Sequence, residues 1–189
     1  MLIIGLSGYA ASGKSEAAKY LKNKYGFEIF EFSREIEEEA KKLNLIQEKL
    51  SLEEKKRRLS EIGKTIREKY GREDYFAIKI AEKIKKENID RVTVDGFRNV
   101  IEVEVFKKEF NKNFWLIFIK SDAKIRYERR KQQDKFFNLS FEEFLKRDKE
   151  DIKNLGLDKI EENSNFIIEN NSSLEDFYEK IDLIIKSLI

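Results

Sequence analysis

LIIGLSGYAASGKS, residues Leu2–Ser15, is the stretch of sequence that decides the fold of this chain. An apolar run typical of a buried strand passes directly into the spacing Gly-x-x-x-x-Gly-Lys-Ser, and a helical pattern follows. This spacing forms a phosphate-binding loop of the Walker A type, because its glycines let backbone N–H groups turn towards a polyphosphate. The helix that follows presents its positive N-terminal end to the same phosphates. The residues predicted to bind them are Gly8, Ala10, Ala11, Ser12, Gly13, Lys14 and Ser15.

Two side chains of this loop are predicted to act directly on bound phosphate. Lys14 can reach the β- and γ-phosphates of a nucleotide, and the hydroxyl of Ser15 can ligate Mg²⁺. The alternative is a glycine-rich turn that happens to contain a lysine. Three of the eight glycines, Gly5, Gly8 and Gly13, crowd into this short stretch, which favours the phosphate site.

The composition restricts the chemistry available to the 189 residues. The chain contains no cysteine and no histidine, which excludes disulfides, thiolate nucleophiles, cysteine–zinc sites and the usual general base. Carboxylates, lysine, arginine, hydroxyls and Mg²⁺ remain. Phosphoryl transfer fits this set, because it depends on positioning and charge neutralisation more than on specialised acids and bases.

The balance of charge argues against extended charged surfaces. Lys and Arg together number 39 and Asp and Glu 37, so a net charge of +2 predicts no general binding to nucleic acid or membranes. The opening apolar run is too short for a signal peptide, and no stretch approaches the length of a membrane span. We therefore expect a cytoplasmic protein with small-molecule partners, and the sequence leaves its oligomeric state open.

Short apolar runs alternate with amphipathic charged stretches, which predicts strand–helix–strand units around a parallel sheet in one domain over residues 1–189. Strands are predicted at 2–6, 27–32, 91–95, 114–120 and 165–169. Helices are predicted at 14–24, 34–43, 52–70, 74–87, 100–110, 123–133, 140–153 and 174–188. Loops are predicted at 45–51, 134–139 and 154–163. Capping boxes are predicted at Ser140 with Glu143 and at Ser172 with Glu175.

A second candidate site follows the strand 91–95. Asp95 ends that apolar strand at the edge where ligands bind in open α/β sheets, as a Walker B acid does, and is predicted to hold Mg²⁺ together with Ser15. Arg98, three residues later, is predicted to meet a phosphate of the second substrate. The alternatives are a polar turn residue at Asp95 and a solvated helix-start cation at Arg98.

Several motifs together resemble P-loop kinases of the branch that contains deoxynucleoside monophosphate kinases, dephospho-CoA kinases and archaeal adenylate-kinase-like proteins. The motifs are the run from Arg58 to Gly71, the run from Asp95 to Asn99 with Glu102, and Asp122, Arg126 and Arg129. The resemblance spans nearly the whole chain. It implies an α/β three-layer fold with a five-stranded parallel sheet in the order 2-3-1-4-5 and helices on both faces. It also implies an acceptor-binding helical region at about 33–90 and a helical lid at about 121–155.

The resemblance also assigns roles to arginines. Those matching Arg67 and Arg98 hold the phosphate of the acceptor, and lid arginines matching Arg126 and Arg129, or Arg130, neutralise the moving phosphoryl group. Asp95-Gly96-Phe97-Arg98 lacks the proline that adenylate kinases carry before their arginine.

Three further positions have two interpretations each. The acceptor helix begins with Phe32-Ser33-Arg34 where adenylate kinases have Thr-Gly-Asp, so Arg34 either binds the acceptor or faces solvent. Arg147 either supplies a charge that the lid lacks or pairs with a carboxylate on its own helix. Phe136 and Phe137 are the one aromatic pair considered for contact with a base, whereas the aromatics of 114–118 are assigned to the core.

The predicted activity is therefore a Mg²⁺- and ATP-dependent phosphotransferase in which Lys14, Asp95, Arg126 and Arg129 are catalytic. A nucleoside monophosphate is the leading acceptor and dephospho-CoA the alternative. A nucleotide-binding regulator or slow ATPase is the alternative from another class of protein.

Overall fold

The computed structural model of the protein describes residues 1–45, 52–135 and 137–189, and of residues 52–57 only the backbone. Strands and helices alternate along the chain as the sequence predicts. The strands are β1 (Leu2–Gly8), β2 (Glu28–Glu31), β3 (Arg91–Phe97), β4 (Phe114–Lys120) and β5 (Phe166–Glu169). The helices are α1 (Lys14–Tyr25), α2 (Phe32–Lys42), α3 (Leu52–Tyr70), α4 (Tyr75–Glu87), α5 (Val100–Phe110), α6 (Ala123–Gln133), α7 (Phe141–Leu155), α8 (Leu157–Glu162) and α9 (Leu174–Leu188).

The five strands form one parallel sheet in the order β2-β3-β1-β4-β5, which confirms the predicted topology. Strand β1 lies in the centre, where Ile3 pairs with Val92 of β3 on one side and with Phe114 of β4 on the other. All parallel strands end at the same edge, so the loop after β1, the end of β3 and the loops after β4 and β5 meet there. The candidate site lies at this edge.

Helices cover both faces of the sheet, as the resemblance implies. Ala17 and Leu21 of α1 pack with Phe177 and Ile181 of α9 on one face. A larger apolar cluster on the other face joins α2, α3, α4, α5 and α8 to the sheet. Burial on both faces explains why β1 reads as an almost continuous apolar run rather than an alternating one.

The loop predicted at 154–163 is wrong, because α8 (Leu157–Glu162) lies within it. Gly156 adopts a left-handed conformation (φ 61°) between α7 and α8, and Leu157 and Ile160 are buried in the larger core. A helix of six residues has too short an apolar repeat to be recognised from sequence. Of the other predicted loops, 46–51 and Phe136 lie outside the described residues, and Asp134, Lys135 and 137–139 are neither helix nor strand.

The helix caps differ from prediction at one position. Ser140 and Glu143 form the predicted capping box, in which each backbone N–H donates to the other side chain at 2.8 and 3.2 Å. The N-cap of α9 is Ser173 and not Ser172, since the N–H of Asp176 donates to Ser173 Oγ at 3.2 Å. Two adjacent serines made the sequence ambiguous by one residue.

None of the helices in the described ranges has the length and apolar character needed to cross a membrane.

Candidate active site

The loop after β1 wraps around the side chain of its own lysine. Lys14 Nζ donates to the carbonyl oxygens of Gly8 and Tyr9 at 2.9 and 2.8 Å, and the N–H of Ser12 donates to the carbonyl of Tyr9 at 3.2 Å. Ala11 adopts φ 59°, a left-handed conformation that costs a residue with a Cβ about 1–2 kcal/mol. Strain of this kind is typical of ligand-binding loops. The predicted phosphate-binding residues therefore form one continuous cradle.

Glycine is required at both ends of this cradle. Gly8 has φ 142°, and a Cβ there would lie 1.9 Å from the carbonyl oxygen of Ile119 in β4. Gly13 has φ 112°, and a Cβ there would lie 2.5 Å from Asn170 Nδ2. The loop is thus packed tightly against the ends of β4 and β5.

We expect the Gly8→Ala substitution to destabilise the protein by about 1–3 kcal/mol or more, because it adds a backbone clash to an unfavourable φ. Gly26→Ala is the matched control. Gly26 also has a positive φ, of 70°, but a Cβ there meets nothing within 4 Å. Urea unfolding of both variants measures the difference, and equal losses of stability would show that the contact with β4 is unimportant.

Ser15 and Asp95 meet as predicted for a metal-binding pair. Ser15, at the start of α1, donates from Oγ to Asp95 Oδ2 at 3.2 Å, and Asp95 is buried at the end of β3. Mg²⁺ prefers oxygen ligands, and at nucleotide sites it takes one or two of them from the protein and others from phosphate and water. A hydroxyl and a carboxylate beside a phosphate cradle are such a donor set, so these residues fit the ion.

A buried carboxylate contacts the side chain of one predicted acceptor arginine and the backbone of the other. Glu102 of α5 is 1% exposed and accepts from Arg67 Nη2 of α3 at 2.7 Å with Oε1. Its Oε2 accepts from the backbone N–H groups of Arg98 and Asn99 at 3.0 and 3.2 Å. Asn99 also forms a capping box with Glu102, which was not predicted from the sequence. The structure therefore joins α3 to the end of β3 through Glu102.

One nitrogen of the Arg67 guanidinium group is buried without a hydrogen-bond acceptor among the described residues. This nitrogen is Nε, and the guanidinium lies 5.1 Å from the centre of the Phe76 ring. Gly63, one turn earlier on α3, gives the guanidinium room, since a Cβ there would lie 3.3 Å from Nη1. Burial raises the pKa of Glu102, while Arg67 and the two backbone donors oppose this rise by favouring the carboxylate. Arg98 is exposed.

Arg34 takes the position expected of a solvent-facing residue. Its side chain is 71% exposed, and Nε lies 3.3 Å from Glu38 Oε1 one turn along α2. Arg147 on α7 is exposed too. A role for either residue in the site stays a prediction.

The two predicted lid arginines have different surroundings. Arg126 is 3% exposed and forms a two-pronged ion pair with Asp148 of α7, at 2.5 and 2.7 Å. Arg129 donates to two neutral groups, Ser121 Oγ and Asn170 Oδ1, both at 3.3 Å. Burial lowers the pKa of the Arg129 guanidinium. Both arginines lie beside the phosphate loop.

Three residues near the loop were not found from the sequence. Asn170 is 5% exposed and donates from Nδ2 to the carbonyl of Ser12 at 2.8 Å. Asp148 pairs with Arg126, and Glu161 of α8 accepts from the hydroxyl of Tyr9 at 2.9 Å. Asn170 directly follows the predicted strand 165–169, and this position at the binding edge was a usable signal. Asp148 and Glu161 sit among many charged helix residues, which concealed them.

The aromatic pair considered for base contact is placed only in part, because Phe136 lies outside the described residues. Phe137 is partly buried, and its ring lies 5.7 Å from that of Tyr127 and 6.3 Å from that of Phe144. Phe137 therefore packs between α6 and α7.

Comparison with known proteins agrees with this geometry. The family described as "AAA domain" (AAA_17) matches residues 7–136, which include the phosphate loop, Asp95 and the predicted lid arginines. The chain belongs to this family. A UPF0200 protein of Sulfurisphaera tokodaii is 35% identical over 189 residues, which cover 99% of this chain and 97% of that protein.

Two further comparisons concern a longer relative and a solved structure with the same fold. A UPF0200/UPF0201 protein of Archaeoglobus fulgidus is 34% identical over 100% of this chain, but the chain spans only 56% of that relative's length. Shikimate kinase from Bacteroides thetaiotaomicron has the same fold, with a TM-score of 0.63 over 99% of this chain and 97% of that one, at 14% identity. The chain thus has the fold of a P-loop kinase.

Proposed function

We propose that the protein is an ATP- and Mg²⁺-dependent phosphotransferase that acts on a small phosphorylated acceptor, most simply a nucleoside monophosphate. One observation carries this proposal. Asp95 near the end of β3 contacts Ser15 of the phosphate cradle, and Arg98 follows that strand directly, where its backbone N–H donates to the carboxylate that also pairs with Arg67. The residues proposed for the donor and for the acceptor therefore lie on one short segment.

In this proposal the chain contributes position and charge. The cradle binds the donor phosphates through backbone N–H groups, and Lys14 spreads the charge that develops on the transferred group. Ser15 and Asp95 would hold Mg²⁺, which would neutralise charge on the phosphates. Arg67 and Arg98 hold the acceptor phosphate through their guanidinium groups.

Helices between the strands bind the acceptor and close over the site. Helices α2, α3 and α4 form the acceptor-binding region, and α6 and α7 form the lid of the same kinase domain. Closure of the lid excludes water, so that the acceptor and not water takes the phosphoryl group.

The deciding experiment is a screen of acceptors with ATP and Mg²⁺ in which the phosphorylated product is detected directly. The panel contains the common ribo- and deoxynucleoside monophosphates and dephospho-CoA. Phosphorylation of a nucleoside monophosphate supports the proposal, and phosphorylation of dephospho-CoA alone replaces the acceptor. Binding or slow hydrolysis of ATP with no product from any acceptor would contradict transfer and favour a nucleotide-dependent regulator.

Alanine at Arg67 or at Arg98 is expected to raise the KM of the acceptor by about ten- to a hundredfold, since a charge-assisted contact to phosphate is worth about 1.5–3 kcal/mol. The affinity for ATP should change little. Arg91→Ala is the matched control, because Arg91 begins the same strand at its opposite end and donates to the carbonyl of Tyr25. Steady-state kinetics with each substrate varied separately measure the effect. An unchanged acceptor KM would remove both arginines from the acceptor site.

A further inference from the structure

Arg126 has most of its hydrogen-bonding capacity and its charge committed within the protein. Both terminal nitrogens pair with Asp148, and Nε donates to the carbonyl of Ser121 at 2.8 Å. Asp148 is itself 8% exposed, so the pair is buried on both sides. A guanidinium that meets one carboxylate through both terminal nitrogens has few donors left for a phosphate, whereas Arg67 meets Glu102 through Nη2 alone.

The same guanidinium supports the first turn of the phosphate loop from outside. Nη1 also donates to the carbonyl of Ala10 at 3.4 Å, and the guanidinium carbon lies 5.1 Å from the centre of the Tyr9 ring. The opposite end of Tyr9 is fixed too, because its hydroxyl donates to Glu161. Burial and this hydrogen bond raise the pKa of Tyr9 to about 12, so the hydroxyl keeps its proton.

Fixing Tyr9 and Ala10 fixes the groups that face the nucleotide. The carbonyl of Tyr9 receives the ammonium group of Lys14 and the N–H of Ser12. A shift of Tyr9 or Ala10 would therefore move the lysine and the backbone of the cradle together. Asp148 of α7, which lies 22 residues after Arg126 in the chain, holds Arg126 in the orientation that these contacts with the loop require.

Arg129 differs from Arg126 in the charge of its hydrogen-bond partners. Its hydrogen bonds go to a hydroxyl and an amide oxygen, and Asn170, which supplies the amide, also binds the loop through Ser12. Arg129 is thus a cation with neutral hydrogen-bond partners beside the cradle, and an anionic ligand can use its charge.

We propose that Arg126 and Asp148 are a positioning pair that holds the phosphate loop in its nucleotide-binding form, and that Arg129 is the arginine that meets the donor phosphates. This inference rests on the proposed function in one respect, which is that the loop binds ATP. It requires no particular acceptor.

The test measures the binding of a non-hydrolysable ATP analogue with Mg²⁺ by isothermal titration calorimetry. Asp148→Asn keeps the shape of the side chain and removes the charge that holds Arg126. Glu150→Gln is the matched control, because it removes an exposed carboxylate from the same helix. We expect Asp148→Asn and Arg126→Lys to weaken binding about tenfold or more and Glu150→Gln to leave it unchanged.

The outcome for Asp148→Asn separates positioning from direct phosphate binding. If Arg126 were a phosphate-binding residue restrained by Asp148, the Asn variant would free it, and binding would stay equal or become tighter. Either result overturns the proposal. If the wild-type protein does not bind the analogue, the proposed function is overturned as well. If the wild-type protein and the Asp148→Asn variant bind it with equal affinity, only the positioning pair is overturned.

A double variant keeps the test decisive where a single change prevents folding. Arg126→Met with Asp148→Leu removes both buried charges at once, and such replacements are often neutral for stability. Thermal unfolding checks that the double variant is folded. A folded double variant is expected to bind the analogue about tenfold or more weakly. Wild-type affinity in it would show that the pair serves stability only.

Discussion

The Lys14→Ala protein is expected to lose at least about a hundredfold in the rate of phosphoryl transfer while it keeps its fold. Removal of one preorganised group that stabilises developing charge costs about 10²–10³ in kcat. Lys14 is proposed to be such a group, and the carbonyls of Gly8 and Tyr9 hold its ammonium in the mouth of the cradle. These contacts are to backbone oxygens at the end of β1 and in the loop that follows it, so the pairing of the strands and the apolar cores do not depend on them.

The measurement is single-turnover transfer from labelled ATP, with thermal unfolding as the check on folding. Lys19→Ala is the matched control, because Lys19 is an exposed lysine on the same helix. Wild-type turnover in the Lys14→Ala protein would show that this loop is not the donor site.

Asp95→Asn is expected to lower activity at fixed Mg²⁺ by about ten- to a hundredfold and to shift the Mg²⁺ dependence to higher concentration. The asparagine keeps the shape and can still meet Ser15, but it lacks the charge that attracts the ion. Nucleotide binding in the absence of Mg²⁺ should change far less, because the cradle is intact.

Activity measured against Mg²⁺ concentration tests this expectation. Asp90→Asn is a suitable control, since Asp90 is an exposed residue just before the opposite end of the same strand. An unchanged Mg²⁺ dependence in the Asp95→Asn protein would make Asp95 a structural residue at a turn.

The parts of the fold that the sequence predicts are those that local pattern controls. Strands β1, β3 and β4 are apolar runs long enough to be distinguished from helix, and the spacing from Gly8 to Ser15 has one well-known conformation. Asp95 could be placed because the end of a parallel strand always lies at the binding edge. The order of the strands came from the resemblance to kinases and is confirmed.

The sequence could not show which charged residues become buried. Asp148 and Glu150 lie on the same helix within a run rich in charge, yet only Asp148 faces a buried arginine. Arg126 and Arg129 were predicted with equal roles, and only their partners distinguish them. The packing of α6 against α7 brings Asp148 to Arg126, and the pairing of β4 with β5 brings Asn170 to Arg129, neither of which a local pattern encodes.

The central position of β1 has a consequence for the order of events during synthesis. Of the five strands, β1 leaves the ribosome first, but its hydrogen-bonding neighbours are β3 and β4. Ile3 can therefore pair with Val92, and then with Phe114, only after those later strands have emerged. Domains are completed as the chain emerges, and contacts distant in sequence form late. Ile119 and Asn170 form walls of the cradle, so a nascent chain can complete the cradle only after residue 170 has emerged. Nucleotide bound at the proposed site would then stabilise only chains that extend past this residue.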